Sequence, residues 1–132
     1  MNTLADLIER YDVEVLDYLD RQATIPVLSG PQIQGDISIL PVTATAARTP
    51  LPAAGCVVAT GREGHAHRLV GQGMFDLAKQ VRGSLAIGTL TVPPAGVAYL
   101  AHDEHGYMGV APGTYTIGSQ REFAGIWRAV AD

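Results

Sequence analysis

Downstream of residue 25 this chain is poorly suited to long helices. Pro26, Pro31, Pro41, Pro50, Pro52, Pro93, Pro94 and Pro112 recur through it, together with fifteen glycines. A proline lacks the amide that a helix interior needs, and glycine raises the entropy cost of any regular run it interrupts. Short β-branched stretches survive between them: "DISILPV", "GCVVATG", "HAHRLVG", "SLAIGTLTV", "GVAYLAH", "GTYTIGS" and "FAGIWRAV". Strands of this length and spacing predict a mainly β fold, a small β-barrel or sandwich. "MFDLAKQVRG" suits a short helical turn or a strand equally well. The linker "TATAARTPLPAA" is read as a loop inside one domain, because neither side alone holds enough strands to close a sheet. At 132 residues, one compact domain with a modest core is expected.

The first twenty residues follow a different rule. Leu4, Leu7, Ile8, Tyr11, Val15, Tyr18 and Leu19 recur at three- and four-residue spacing, which lines one side of an α-helix. Thr3 followed by Asp6 has the form of a capping box. An amphipathic helix is therefore expected from Leu4 to about Asp20, giving residues 1–22 as an acidic helix and 23–132 as the β domain. Six acids (Asp6, Glu9, Asp12, Glu14, Asp17, Asp20) face only Arg10 and Arg21 there, while the remaining seven acids and seven bases balance. The acidic face reads as solvated, or as a surface for a protein partner or a second copy of the chain.

Charge and composition remove several function classes. No basic run offers a track for a phosphate backbone, so nucleic acid is not an expected partner. No apolar stretch is long enough to span a bilayer and the first residues lack a signal-peptide pattern, so a cytoplasmic protein is the expectation. Cys56 is the one cysteine and sits in an apolar run, which excludes an internal disulfide and a Cys-x-x-Cys zinc pattern and suggests a small buried hydrophobe. Lys79 is the one lysine and belongs to no phosphate-binding loop, and no Gly-x-Ser-x-Gly elbow occurs.

What remains is histidine. The four histidines form two pairs, His65 and His67 in "EGHAHRLVG" and His102 and His105 in "AHDEHGYMG". If "HAHRLV" is a strand, His65 and His67 leave the same face and converge on one point, with Gly61 and Gly64 allowing a tight turn just before them. "HDEH" fits a strand end or turn, where residues three apart reach one side, with Asp103 and Glu104 adding carboxylates. Neutral imidazoles beside a carboxylate form a ligand set for a divalent metal such as zinc, iron or nickel. His65, His67, His102 and His105 are the expected ligands, with Glu104 and Asp103 as proton carriers. A hydrogen-bonded polar cluster without metal is the competing reading.

Cupins build a metal site in a small β-barrel from a His-x-His strand and a later histidine, and "GTLTVPPAG" resembles the start of their second motif through Gly88, Pro94 and Gly96. His102 follows Gly96 too late for that motif, and no glutamate follows His67 at the first-motif spacing, so the resemblance is architectural. The ordered set "QGDISILPV", "GREGHAHRL", "AYLAHDEHG" and "PGTYTIGSQREF" more closely resembles an uncharacterised family of small bacterial and phage-like proteins, over about Gln34 to Phe123. That resemblance draws attention to Gln34, Gly35 and Asp36, to His65 and His67, to His102, Glu104 and His105, and to Gln120, Arg121 and Glu122. Phe123 stands where the family pattern has tyrosine, so a phenol there is not essential. The acidic helix lies outside the match, as an addition for assembly or partner choice. Arg121 and Gln120 are candidate ligand-binding groups: the Arg121 fork suits a buried carboxylate such as Asp36 or Glu104, or an anionic ligand.

Two function classes follow. One is a binding or assembly module whose histidines are structural or hold a closed metal site. The other is a metal-dependent hydrolase or lyase with an open coordination position. A cluster that opens on a cavity favours the second, and a closed cluster the first.

Overall fold

A computed structural model of the chain describes residues 2–16, 19–60, 65–79 and 84–119. Its elements are α1 (Leu4–Tyr11), β1 (Val27–Leu28), β2 (Gln32–Gln34), β3 (Ile37–Pro41), β4 (Cys56–Thr60), β5 (Ala66–Gly71), β6 (Met74–Leu77), β7 (Ala86–Val92), β8 (Ala98–His102), β9 (Gly106–Val110) and β10 (Gly113–Ser119). They form two five-stranded sheets, ordered β1-β9-β8-β5-β4 and β2-β3-β10-β7-β6. Of the two architectures expected, the sandwich is present. Ile37, Ile39, Leu90, Tyr115 and Ile117 from one sheet pack against Val58, Leu69, Leu100 and Val110 from the other.

Six of the seven expected strands are there, and the seventh, "FAGIWRAV", lies outside the described residues. "MFDL" resolves as a strand. β1, β2 and β9 were not expected. β1 and β2 are too short for a period to show, and β9, "GYMGV", carries two glycines that read as a turn. One of them is required by packing: a Cβ on Gly109 would lie 2.5 Å from Pro26 O, where β1 runs parallel to β9. Cys56 is half-buried at the start of β4 and packs against the core.

The helix begins as its sequence predicts and ends early. Asp6 N donates to Thr3 Oγ1 (3.2 Å) and Thr3 N to Asp6 Oδ2 (2.9 Å), completing the capping box. It stops at Asp12, which adopts a left-handed conformation (φ 58°, ψ 28°) and donates its amide to Ile8 O. The expected continuation to Asp20 is not found in the described residues. Tertiary hydrogen bonds take the backbone instead: Tyr107 Oη donates to Val13 O (2.9 Å), Leu16 N to Asp103 O (2.8 Å) and Arg21 Nη2 to Val15 O (3.3 Å). The apolar positions still do what their spacing promised, from a strap in place of a helix. Leu4, Leu7, Val15 and Ile25 are buried with Val70, Tyr99, Ala101 and Tyr107 on the outer face of the first sheet.

That cover explains why every residue of β8 is buried. Ala98 and Leu100 face the space between the sheets, and Tyr99 and Ala101 face the helix and strap. By the same alternation His102 shares the inner face of Leu100, and His67 on β5 shares the inner face of Leu69. Burial pushes the Tyr107 hydroxyl up to about 12, so it remains a donor to the strap at neutral pH. Tyr107→Phe should keep the ring packing, lose this one bond, and lower unfolding free energy by about 1 kcal/mol in urea titrations. An unchanged stability would show that the strap is held by its apolar residues alone.

Candidate metal centre

The turn joining β8 to β9 brings the two histidine pairs together. His102 ends β8, Asp103, Glu104 and His105 form the turn, and Gly106 opens β9 in left-handed geometry (φ 81°). Because β5 is hydrogen-bonded to β8, residues 65–67 arrive beside this turn. The His102 ring centroid lies 4.3 Å from that of His67, 4.7 Å from His105 and 6.0 Å from His65. All four imidazoles thus share one neighbourhood, but they do not play equal parts.

His67 and His102 are buried and already engaged through Nδ1. His67 Nδ1 lies 3.0 Å from Gln34 Oε1, while Gln34 Nε2 donates to Leu100 O (3.0 Å) and Gly106 O (3.3 Å). Gln34 Oε1 is then the acceptor, and His67 carries its proton on Nδ1. His102 is the opposite tautomer. Its Nδ1 accepts the turn amides of Glu104 (3.1 Å) and His105 (3.3 Å), which places its hydrogen on Nε2. Burial, reinforced by the neighbouring His102 and His105, pushes His67 down to about 4. Burial and His105 lower His102 in the same direction, against the pull of Asp103 and Glu104. Both rings are therefore neutral at pH 7. Gly35 closes this side, since at its positive φ (56°) a Cβ would come within 3.1 Å of His105 Nε2 and 3.2 Å of His67 Cε1.

The neutral, buried His67 has a consequence for stability. Its unfolded pKa is near 6.5 and its folded value lower, so the unfolded chain binds more protons between them, and stability falls as pH drops from about 6.5 toward 4. For one proton the slope of unfolding free energy approaches about 1.4 kcal/mol per pH unit. Urea unfolding of chelator-treated protein across this range should show that acid limb, and His67→Gln should flatten it. An acid limb untouched by the substitution would assign it to other groups.

His65 occupies the open end of the cluster. Its Nδ1 lies 2.5 Å from Asp103 Oδ2 and its Nε2 3.0 Å from Glu104 Oε1. One donor atom from each of these three side chains falls within 4.8 Å of the other two, a spacing that can hold a metal ion. The side chains are 28% (His65), 36% (Asp103) and 39% (Glu104) exposed, so solvent reaches the group. Asp103 Oδ1 is buried and has no hydrogen-bond donor among the described residues. It lies 3.4 Å from His102 Nδ1, a separation that would make an ion pair if His102 were protonated there. The two turn amides bonded to that nitrogen mark it as an acceptor, so it gives Asp103 Oδ1 no proton. A carboxylate oxygen in that position is short of a positive partner, and a divalent cation would supply one.

Of the four expected histidine ligands, His65 is the one with carboxylate donors at this spacing. The three side chains whose donor atoms lie within 4.8 Å of one another are His65, Asp103 and Glu104, the last two being the residues expected as proton carriers. His67, His102 and His105 pack ring against ring beside this group, His67 parallel to His105 and His102 tilted against both, and do not form a second group of this spacing among the described residues. Gln120 and Arg121, expected to bind a ligand, lie outside the described residues, as do Gly61, Gly64 and Glu122.

His65 and Asp103 also line a cleft of about 570 Å³, whose other walls are Arg10 to Glu14 from the helix end and strap, Ala53 and Ala54, and Ala66 and Arg68 of β5. Sequence reasoning did not single out Arg10, Tyr11 or Arg68. Helical spacing marks only the apolar side of α1, and a lone arginine on a strand carries no signal of what lies opposite.

The family model described as "Domain of unknown function (DUF8820)" matches residues 33–120, more than half of the chain. The chain belongs to that family. The DUF8820 segment takes in both histidine pairs, Gln34 and every strand from β3 to β10, whereas α1, the strap and β1 precede it. No curated protein and no solved structure matches the chain. No helix among the described residues is long and apolar enough to cross a membrane.

Proposed function

We infer that this DUF8820 protein is a divalent-metal-binding domain that acts on a small molecule, as a metal-dependent hydrolase or lyase. His65, Asp103 and Glu104 hold the ion. The observation that carries this reading is their position: a three-residue donor group, one of whose carboxylate oxygens is buried without a donor among the described residues, opens on a cleft and is not sealed in the core. One nitrogen and two oxygen donors suit zinc or iron(II) better than copper. When bound, such an ion lowers the pKa of coordinated water toward neutrality. The chain's own residues supply the rest. The turn amides on His102 hold Asp103 and Glu104 in place, and the cleft provides room for a substrate beside the ion.

A second reading has its own support. Both ring nitrogens of His65 already face carboxylates, so His65 can latch the start of β5 to the β8–β9 turn without an ion, as an assembly module would require. Elemental analysis by mass spectrometry separates the two. Tag-free protein, as purified and after dialysis against zinc, iron(II) or manganese, should retain close to one ion per chain. Protein that stays metal-free after every reconstitution would overturn the metal reading and leave the latch.

A further inference from the structure

Resting on the ion site inferred above, the charges around the cleft define what it admits. We propose that its ligand is a small organic oxyanion, a carboxylate or a phosphate ester, gripped by Arg10 and Arg68 with its anionic group directed at the ion.

The cleft is lined by Arg10, Asp12, Glu14, Arg68, Asp103 and His65 among charged and titratable groups. Glu14 is answered by Arg21, 3.8 Å away. Asp103 and Glu104 together balance the charge of a divalent ion. Among the lining groups Arg10 and Arg68 are then opposed by Asp12, while Asp6 attracts Arg10 from the preceding helical turn outside the cleft; the ion adds two positive charges to this balance, so the loaded cleft favours an anion, whereas the empty one, with Asp103 unbalanced, does not. Anion binding therefore depends on the ion.

Both arginines are prepared for this role. Arg68 Nη1 donates to Ala54 O (3.0 Å), which fixes the guanidinium at the rim and uses one of its five donors. The Arg10 guanidinium carbon lies 6.0 Å from the Tyr11 ring centroid, within cation–π range. Tyr11 also gives the cleft an aromatic surface for the body of an organic molecule, and the volume is that of a small-molecule site. A cationic ligand would meet the ion and two guanidinium groups at once.

The test uses the full chain and two probes, methylphosphonate and propionate, titrated calorimetrically into zinc-loaded and zinc-free protein and into zinc-loaded Arg10→Gln and Arg68→Gln. The expected result is saturable binding of at least one probe to the loaded protein alone, weakened at least about 10-fold by each substitution, with zinc content and thermal midpoint unchanged. The tighter probe identifies a phosphate or a carboxylate source. Arg10→Lys and Arg68→Lys should recover part of the loss, which a merely structural arginine would not predict. Zinc-loaded protein that binds neither probe, or binds them equally well in the glutamine variants, overturns the oxyanion proposal and leaves the ion site standing. Protein that takes up no zinc overturns both.

Discussion

His65→Ala is expected to lower divalent-ion affinity by at least about 100-fold, and Asp103→Asn to do the same, in competition titrations against a chromophoric chelator. Loss of a residue that only orients a ligand costs 10- to 100-fold, so loss of a ligand belongs at or beyond the top of that range. His65 supplies the one nitrogen of the donor group, and Asp103 supplies both the oxygen beside it and the buried Oδ1 that has no donor among the described residues. His105→Ala should change affinity by less than about 10-fold, because its ring packs against His102 and contributes no donor atom to the group. The reverse pattern, with the His105 variant unable to hold an ion and the His65 and Asp103 variants unaffected, would move the ion into the stacked histidines and sink the present assignment.

Gln34→Leu should destabilise the fold by about 2–5 kcal/mol in urea titrations, although leucine nearly matches glutamine in size. Gln34 belongs to β2 of one sheet, while its three hydrogen bonds end on His67, Leu100 and Gly106 of the other. Leucine would remove all three at once and leave the buried Nδ1–H of His67 without an acceptor. Gln34→Glu should be no better at neutral pH, since a carboxylate would point acceptor oxygens at two carbonyls. A loss below about 1 kcal/mol for Gln34→Leu would mean that water replaces the amide and that the link between the sheets is not specific.

The sequence showed the histidine pairs and hid their division of labour. Alternation along "HAHRLV" and the turn character of "HDEHG" gave the form of each pair, because strand parity and a glycine turn are local properties, whereas the meeting of the two pairs depends on β5 pairing with β8 and was not readable. Which nitrogen is already occupied is not local. His67 is committed by Gln34, thirty-three residues away, and His102 by amides whose direction depends on the turn's final geometry. The helix shows the same limit. Its capping box and apolar spacing were readable, but its end at Asp12 is set by bonds to Tyr107 and Asp103 from the far side of the chain. Arg10 and Arg68 stayed invisible because nothing in either neighbourhood says that the helix end and β5 face one another across a cleft.

The cleft has two walls of different origin. Residues 65, 66, 68 and 103 come from the DUF8820 segment, and residues 10–14 from the stretch before it. The two walls are tied together where Leu16 N donates to Asp103 O, yet they come from different parts of the sequence. On the proposed ion site, substitutions among residues 10–14 are expected to alter which guest the cleft admits, while the donor atoms of His65, Asp103 and Glu104 stay within the family segment.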